Sequence, residues 1–309
     1  MAGSKARDND GGDGGSSTAA GITPLYILAW LLGGAGVYFS FFDPDMSPAV
    51  QAHVWDPPAV YASGTMRLSW LFVFAGVGVC CATDVLFARW FVGRYFALHV
   101  VMNTIIILMS FRDTLNFWSA ANPYDTNTCV TGAAPCNNNA AVAFTFAVHI
   151  FHAMSYSLKP IDWIHHLPSF AACLVGLYFP FGPVLNFTLL CTLMGVPGCI
   201  DYALLVCVKQ GWLAPAVEKR WNQTLNVWIR CPFAVVSGYV MVMGPLLIPA
   251  HYTGVPHRFW QLVIGLHNVW NGCFFMYRTV DARTRHTLVQ RYPQLKEAML
   301  KEKASKKQS

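Results

Sequence analysis

Apolar residues in this chain come in long uninterrupted blocks. A helix crossing roughly 30 Å of hydrocarbon needs about 20 mostly apolar residues, because each adds about 1.5 Å. Eight blocks meet that requirement: residues 22–42, 68–90, 93–112, 139–157, 163–182, 184–208, 223–249 and 258–280. The pattern predicts an all-α, polytopic transmembrane bundle. Only the Phe179 to Pro183 stretch separates the fifth block from the sixth, and Pro and Gly there favour a tight re-entry turn. A seven-span count is the alternative.

Composition supports this reading. Hydrophobic residues make up 55% of the 309 residues and charged ones 12%. Charge is unevenly placed: residues 1–21 carry net −1, residues 22–281 net +1 and residues 282–309 net +6. Too few charges remain between the tails to solvate a water-soluble surface. A secreted soluble domain, a disordered chain and a nucleic-acid binder with a basic face are excluded. The Gly-, Ser- and Asp-rich residues 1–21 are expected to be disordered and are not a typical secretory signal. The predicted organisation is a cytosolic N-terminus over 1–21, two helices over 22–90, a six-helix core over 91–280 and a basic tail over 281–309.

Lys and Arg prefer cytosolic loops, which sets the orientation. Arg89 and Arg94 flank the 2–3 turn, Lys159 lies in the 4–5 turn, and Lys209, Lys219 and Arg220 lie in the 6–7 loop. The alternate loops hold Asp43, Asp45 and Asp56, then Asp113 and Asp125 with one Arg, then His257 and Arg258. Both termini are therefore expected in the cytosol. Eight of the ten cysteines fall within spans, where they are expected to pack as small residues. Cys129 and Cys136 bracket a polar segment of the 3–4 loop on the oxidising, lumenal side, where a disulfide would pin the loop.

Ionisable side chains within spans are costly and usually line a cavity. His152 and His149 fall roughly 8 and 12 Å from the cytosolic end of span 4, and His165 and His166 in the first turn of span 5. Asp201 in span 6 and Arg230 in span 7 reach similar depths, with His267, Asn268 and Asn271 of span 8 somewhat deeper. Five successive spans thus bring polar groups to one level, as a site open to the inner leaflet would need. Taken singly, His99, His267 and Asn103 read as hydrogen-bonding glue between helices. Asp84, five residues from Arg89, reads as a structural pair. An imidazole beside a carboxylate offers a general base, and a second His or Arg230 would steady an oxyanion. That is the equipment of acyl transfer.

The adjacent histidines of Ile164-His165-His166-Leu167, followed by Gly198-Cys199-Ile200-Asp201, resemble the Lag motif of the TLC-domain family, which includes the ceramide synthases. The resemblance covers residues 90–280 and includes the aromatic-rich closing helix around Trp270-Asn271-Gly272-Cys273-Phe274-Phe275. One aspartate, Asp201, stands 36 residues after His165, where the ceramide-synthase pattern has two acids closer by. The resemblance implies His165, His166 and Asp201 as catalytic residues. It implies acyl-CoA as co-substrate, no bound cofactor, and a lipid amine or alcohol as acceptor. Lys306 and Lys307 look like the dilysine retrieval signal of endoplasmic-reticulum membrane proteins, read by coat machinery. Other expected partners are membrane lipids and a second copy of the chain.

Two rival readings stand beside this one. His149-Ile150-Phe151-His152 with the later His pair is similar to the histidine clusters of membrane desaturases and zinc hydrolases, although full histidine boxes are absent and no metal ligands are assigned. A membrane adaptor or lipid-trafficking protein would use the same polar groups structurally. Neither Asn186 nor Asn222, each opening a glycosylation pattern, is expected to be modified.

Overall fold

The computed structural model describes residues 24–38, 63–119, 140–156, 158, 160–178, 183–192, 194–247 and 254–294. It is all-α. Its helices are α1 (Pro24–Val37), α2 (Ser63–Phe87), α3 (Arg94–Ser119), α4 (Ala140–Ser155) and α5 (Pro160–Tyr178), then α6 (Pro183–Cys191), α7 (Val196–Lys209) and α8 (Pro215–Leu225). A π-helical turn, Asn226–Arg230, joins α8 to α9 (Cys231–Leu247), and α10 (Gly254–Arg291) closes the chain of helices. α6 and α7 fall within one apolar stretch, and α8 runs into α9 through the π turn; counted so, the described residues form eight rods in the order of the eight apolar blocks. Among the described residues, four stretches are long and apolar enough to cross a membrane: Ser69–Phe87, Arg94–Ser119, Val184–Lys209 and Pro215–Leu247. The chain is a multi-pass membrane protein.

The helix ends depart from expectation at three places. α3 was expected to stop at 112 but runs through Arg112 and Asp113 to Ser119. The reason is that Asp113, read from sequence as a loop charge, is buried, and the Asn186 amide of α6 donates to its carboxylate. A charge that finds a partner inside need not end a span. α10 continues eleven residues past 280, carried by polar side chains such as the Arg285–Asp281 pair at 2.9 Å. The rod expected to begin at 223 begins at Pro215, where proline suits a first helical turn. Cys129, Cys136, Lys306, Lys307 and the loop residues Asp43, Asp45, Asp56, Asp125 and Lys159 lie outside the described residues, and His257 lies in α10 with its side chain outside them.

α4 is the central element. Every residue from Ala140 to His149 is buried, as expected of a helix surrounded on all sides. Its alanines let neighbours approach closely: a Cβ placed on Gly76 of α2 would come within 2.7 Å of the Ala147 methyl. α2 packs on α1 and α4, and α3 on α4, α6 and α7. Phe72, Val73 and Val77 of α2 therefore share one core with Leu98 and Met102 of α3 and Phe144 and Phe151 of α4. α9 and α10 meet through Gly238 and Gly265, where a Cβ on Gly238 would lie 2.6 Å from the Gly265 carbonyl oxygen. Between helices in lipid the attraction is van der Waals contact, so small residues at the crossing set how closely the backbones approach.

The buried acid of α2 is held by groups from two other parts of the bundle. Asp84 accepts from the Tyr156 hydroxyl at 2.5 Å and pairs with Arg94 Nε at 3.1 Å. The sequence expectation had Arg89 as the neighbour of Asp84. Arg89 lies beyond the end of α2 and is exposed, whereas Arg94 opens α3 and folds back over the carboxylate.

Candidate functional site

α4 carries His149 and His152 three residues apart, which places both imidazoles on one face of a buried helix. That face borders a cavity of about 260 Å³ enclosed by side chains of α3 to α7, the π turn and α10. His166 of α5 joins them, its ring centroid 5.0 Å from that of His149 and 5.9 Å from that of His152. All three rings are buried. Pro168, two residues beyond His166, has no N–H to continue the helical ladder and interrupts α5 beside the site.

His149 has a defined tautomer. Its Nδ1 lies 2.7 Å from the Thr145 carbonyl oxygen, which can only accept, so Nδ1 carries the proton. Nε2 is thereby left with its lone pair. A backbone carbonyl that orients an imidazole in this way prepares the other nitrogen to take a proton.

His99 of α3 completes a cluster of rings. Its imidazole lies flat on Tyr202 of α7, with centroids 4.0 Å apart and planes at 8°, and 4.4 Å from His152. Tyr95, one turn earlier, stacks on His152 at 4.6 Å. His267, Asn268 and Asn271 of α10 line the opposite part of the wall. Asn268 Nδ2 donates to the Thr188 hydroxyl at 3.5 Å and contacts Met241 Sδ at 3.4 Å.

Arg230 ends the π turn. Two residues on, Pro232 has no N–H to return to the preceding turn, which accounts for a widened turn at this point. The Arg230 side chain is 1% exposed and lines the cavity. Its guanidinium lies 3.8 Å above the Phe275 ring, and Nη1 donates to Asn226 Oδ1 at 3.3 Å. Nε and Nη2 have no hydrogen-bond partner.

The structure thus gathers seven of the expected residues around one space: His149, His152, His166, Arg230, His267, Asn268 and Asn271. Asp201 is not on that wall. It is buried on α7 with Oδ1 unpartnered, within Coulombic reach of Glu218, Arg230 and Lys219. His165 lies on α5, and its side chain is outside what the structure describes. His99 and His267, which read singly as glue between helices, both face the cavity, and Tyr95 and Tyr202 join them. The sequence signal for Tyr95 and His99 was their spacing of four on an apolar helix. Among the described residues, no group of three or more His, Cys, Asp or Glu side chains is arranged to hold a metal ion.

No family model matches the chain, and neither the curated proteins nor the solved structures contain a significant match to it.

Proposed function

We propose that this chain is an eight-span lipid-metabolic protein of the endoplasmic-reticulum membrane, of TLC type. Both termini face the cytosol, and the cavity lies in the inner half of the bilayer. Its proposed chemistry is acyl transfer from acyl-CoA to a lipid amine or alcohol. One observation carries this reading: His149 is held by the Thr145 carbonyl with Nε2 unprotonated, at a cavity it shares with His166. In the reaction, His149 Nε2 takes the proton of the lipid amine or hydroxyl as its nitrogen or oxygen attacks the thioester carbonyl. His166, as a second imidazole, donates a hydrogen bond to the resulting oxyanion. Collapse breaks the carbon–sulfur bond, and the departing thiolate takes the proton held by His149. The dry, apolar part of the wall keeps water from competing for the acyl group.

The test is transfer of a labelled acyl chain from acyl-CoA into lipid, in membranes bearing wild-type protein, His149→Ala, His166→Ala or Asp201→Asn. Wild type is expected to form a labelled lipid, and either His variant to lose about 10²–10⁴-fold in rate. Transfer that is absent in wild type, or undiminished in both His variants, overturns the reading. A second reading is favoured by the position of Asp201 off the cavity wall. There the chain is a non-catalytic lipid-homeostasis protein, and the His residues hold a headgroup. A shift in one lipid class in cells lacking the protein, corrected equally by wild type and His166→Ala, supports that second reading.

A further inference from the structure

We infer that the Arg230 end of the cavity is a binding site for a phosphate-bearing ligand, its phosphate held by the guanidinium and its body against the apolar wall. The inference is independent of acyl transfer, because it holds whether the cavity reacts with its occupant or only retains it. A guanidinium has five N–H donors in a fixed fork and stays charged. Removing one from water without a counter-charge is costly, and proteins do so where a ligand completes the site. Here Arg230 is 1% exposed, yet only Nη1 has a hydrogen-bond acceptor. Phe275 supplies a ring face at 3.8 Å, which steadies a cation but accepts none of the N–H bonds in the guanidinium plane. Nε and Nη2, adjacent donors of the same fork, remain without a partner, the arrangement that receives two oxygens of one phosphate.

The surroundings favour an anion over other occupants. Among the described residues lining the cavity, Arg230 carries the only permanent charge, and none is an acid. Asp201 is close enough to be felt by Arg230, but neither Nε nor Nη2 has a hydrogen-bond partner, so it does not close the fork. Asn271 and the imidazoles of His149 and His166 border the same space and supply further polar contacts. Val142, Leu185, Leu189 and Ile264 make up part of the remaining wall, which suits the glycerol or acyl carbons next to a phosphate. A volume of about 260 Å³ has room for a headgroup. The phosphate is supplied by a lipid headgroup or by a soluble phosphate compound, and the experiment separates the two.

Full-length protein purified in detergent is titrated with dihexanoyl phosphatidic acid, dihexanoylglycerol, coenzyme A and inorganic phosphate, following heat of binding and thermal unfolding. Wild type is expected to bind a phosphate-bearing probe, and Arg230→Gln to bind it at least about tenfold more weakly. Dihexanoylglycerol, which lacks the phosphate, is expected to bind both proteins alike. Phosphatidic acid alone losing affinity assigns the site to a lipid headgroup; coenzyme A or inorganic phosphate losing affinity assigns it to a soluble phosphate. Arg230→Lys, which keeps the charge without the fork, is expected to fall between wild type and Arg230→Gln. The inference is overturned if no phosphate probe binds wild type, or if Arg230→Gln binds the phosphate probes as well as wild type does. Should Arg230→Gln not fold, wild type decides alone: equal stabilisation by phosphatidic acid and dihexanoylglycerol overturns the inference.

Discussion

Asp84 and Arg230 are equally hidden, each 1% exposed, yet their surroundings differ in kind. Asp84 Oδ1 meets the Tyr156 hydroxyl and Arg94 Nε, at 2.5 and 3.1 Å, from two other parts of the bundle. Arg230 lines a cavity, and two of its donors have no hydrogen-bond partner. A buried charge bonded to side chains of other helices joins those helices, whereas the hydrogen bond of Arg230 goes to Asn226 of its own turn. Burial does not separate the two cases, but the origin of the bonding partner does. Asp113 and Asn186, buried between α3 and α6, belong with Asp84.

Four substitutions sharpen the contrast. The largest effect is expected from Asp84→Ala, which leaves Arg94 and Tyr156 without their shared acceptor. A loss of about 3–5 kcal/mol should appear as a steep fall in thermal midpoint and in the yield of folded protein. Gly238→Leu is next, because any side chain there meets the Gly265 carbonyl. Separation of α9 from α10 is expected to cost about 1–3 kcal/mol or more by the same measurement. Asp113→Ala should cost about 1–3 kcal/mol through the stranded Asn186 amide. Arg230→Met is expected to have the smallest effect and the opposite sign. It removes a charge whose bonds are incomplete, so the ligand-free thermal midpoint should stay level or rise. A fall as steep as that of Asp84→Ala would place Arg230 among the structural charges and erase the distinction.

Much of the candidate site was legible because ionisable residues stand out within apolar blocks. His149, His152, Arg230 and His267 were visible for that reason, and their common depth followed from counting residues along each span. Tyr95 and Tyr202 were not, since an aromatic residue in a membrane helix usually reads as filler. The partner of Asp84 was misjudged because distance along the chain favoured Arg89, whereas the turn into α3 brings Arg94 back over the acid. The end of α3 was misjudged for a related reason: Arg112 and Asp113 look like loop charges until Asn186 arrives from another helix. The separation of Asp201 from the cavity wall depends on how α7 is rotated about its axis, and one sequence does not disclose that rotation.

At 38 residues, α10 is a rod of about 57 Å, nearly twice the thickness of the hydrocarbon layer. It bears His267 and Asn271 at the cavity, rests on Gly238 at its crossing with α9, and is fastened near its far end where Arg283 donates to Gln223 of α8. A beam held at a crossing and again at a distant tether has its tilt fixed twice, so the part of the cavity wall formed by His267 and Asn271 is positioned by contacts on both sides of it.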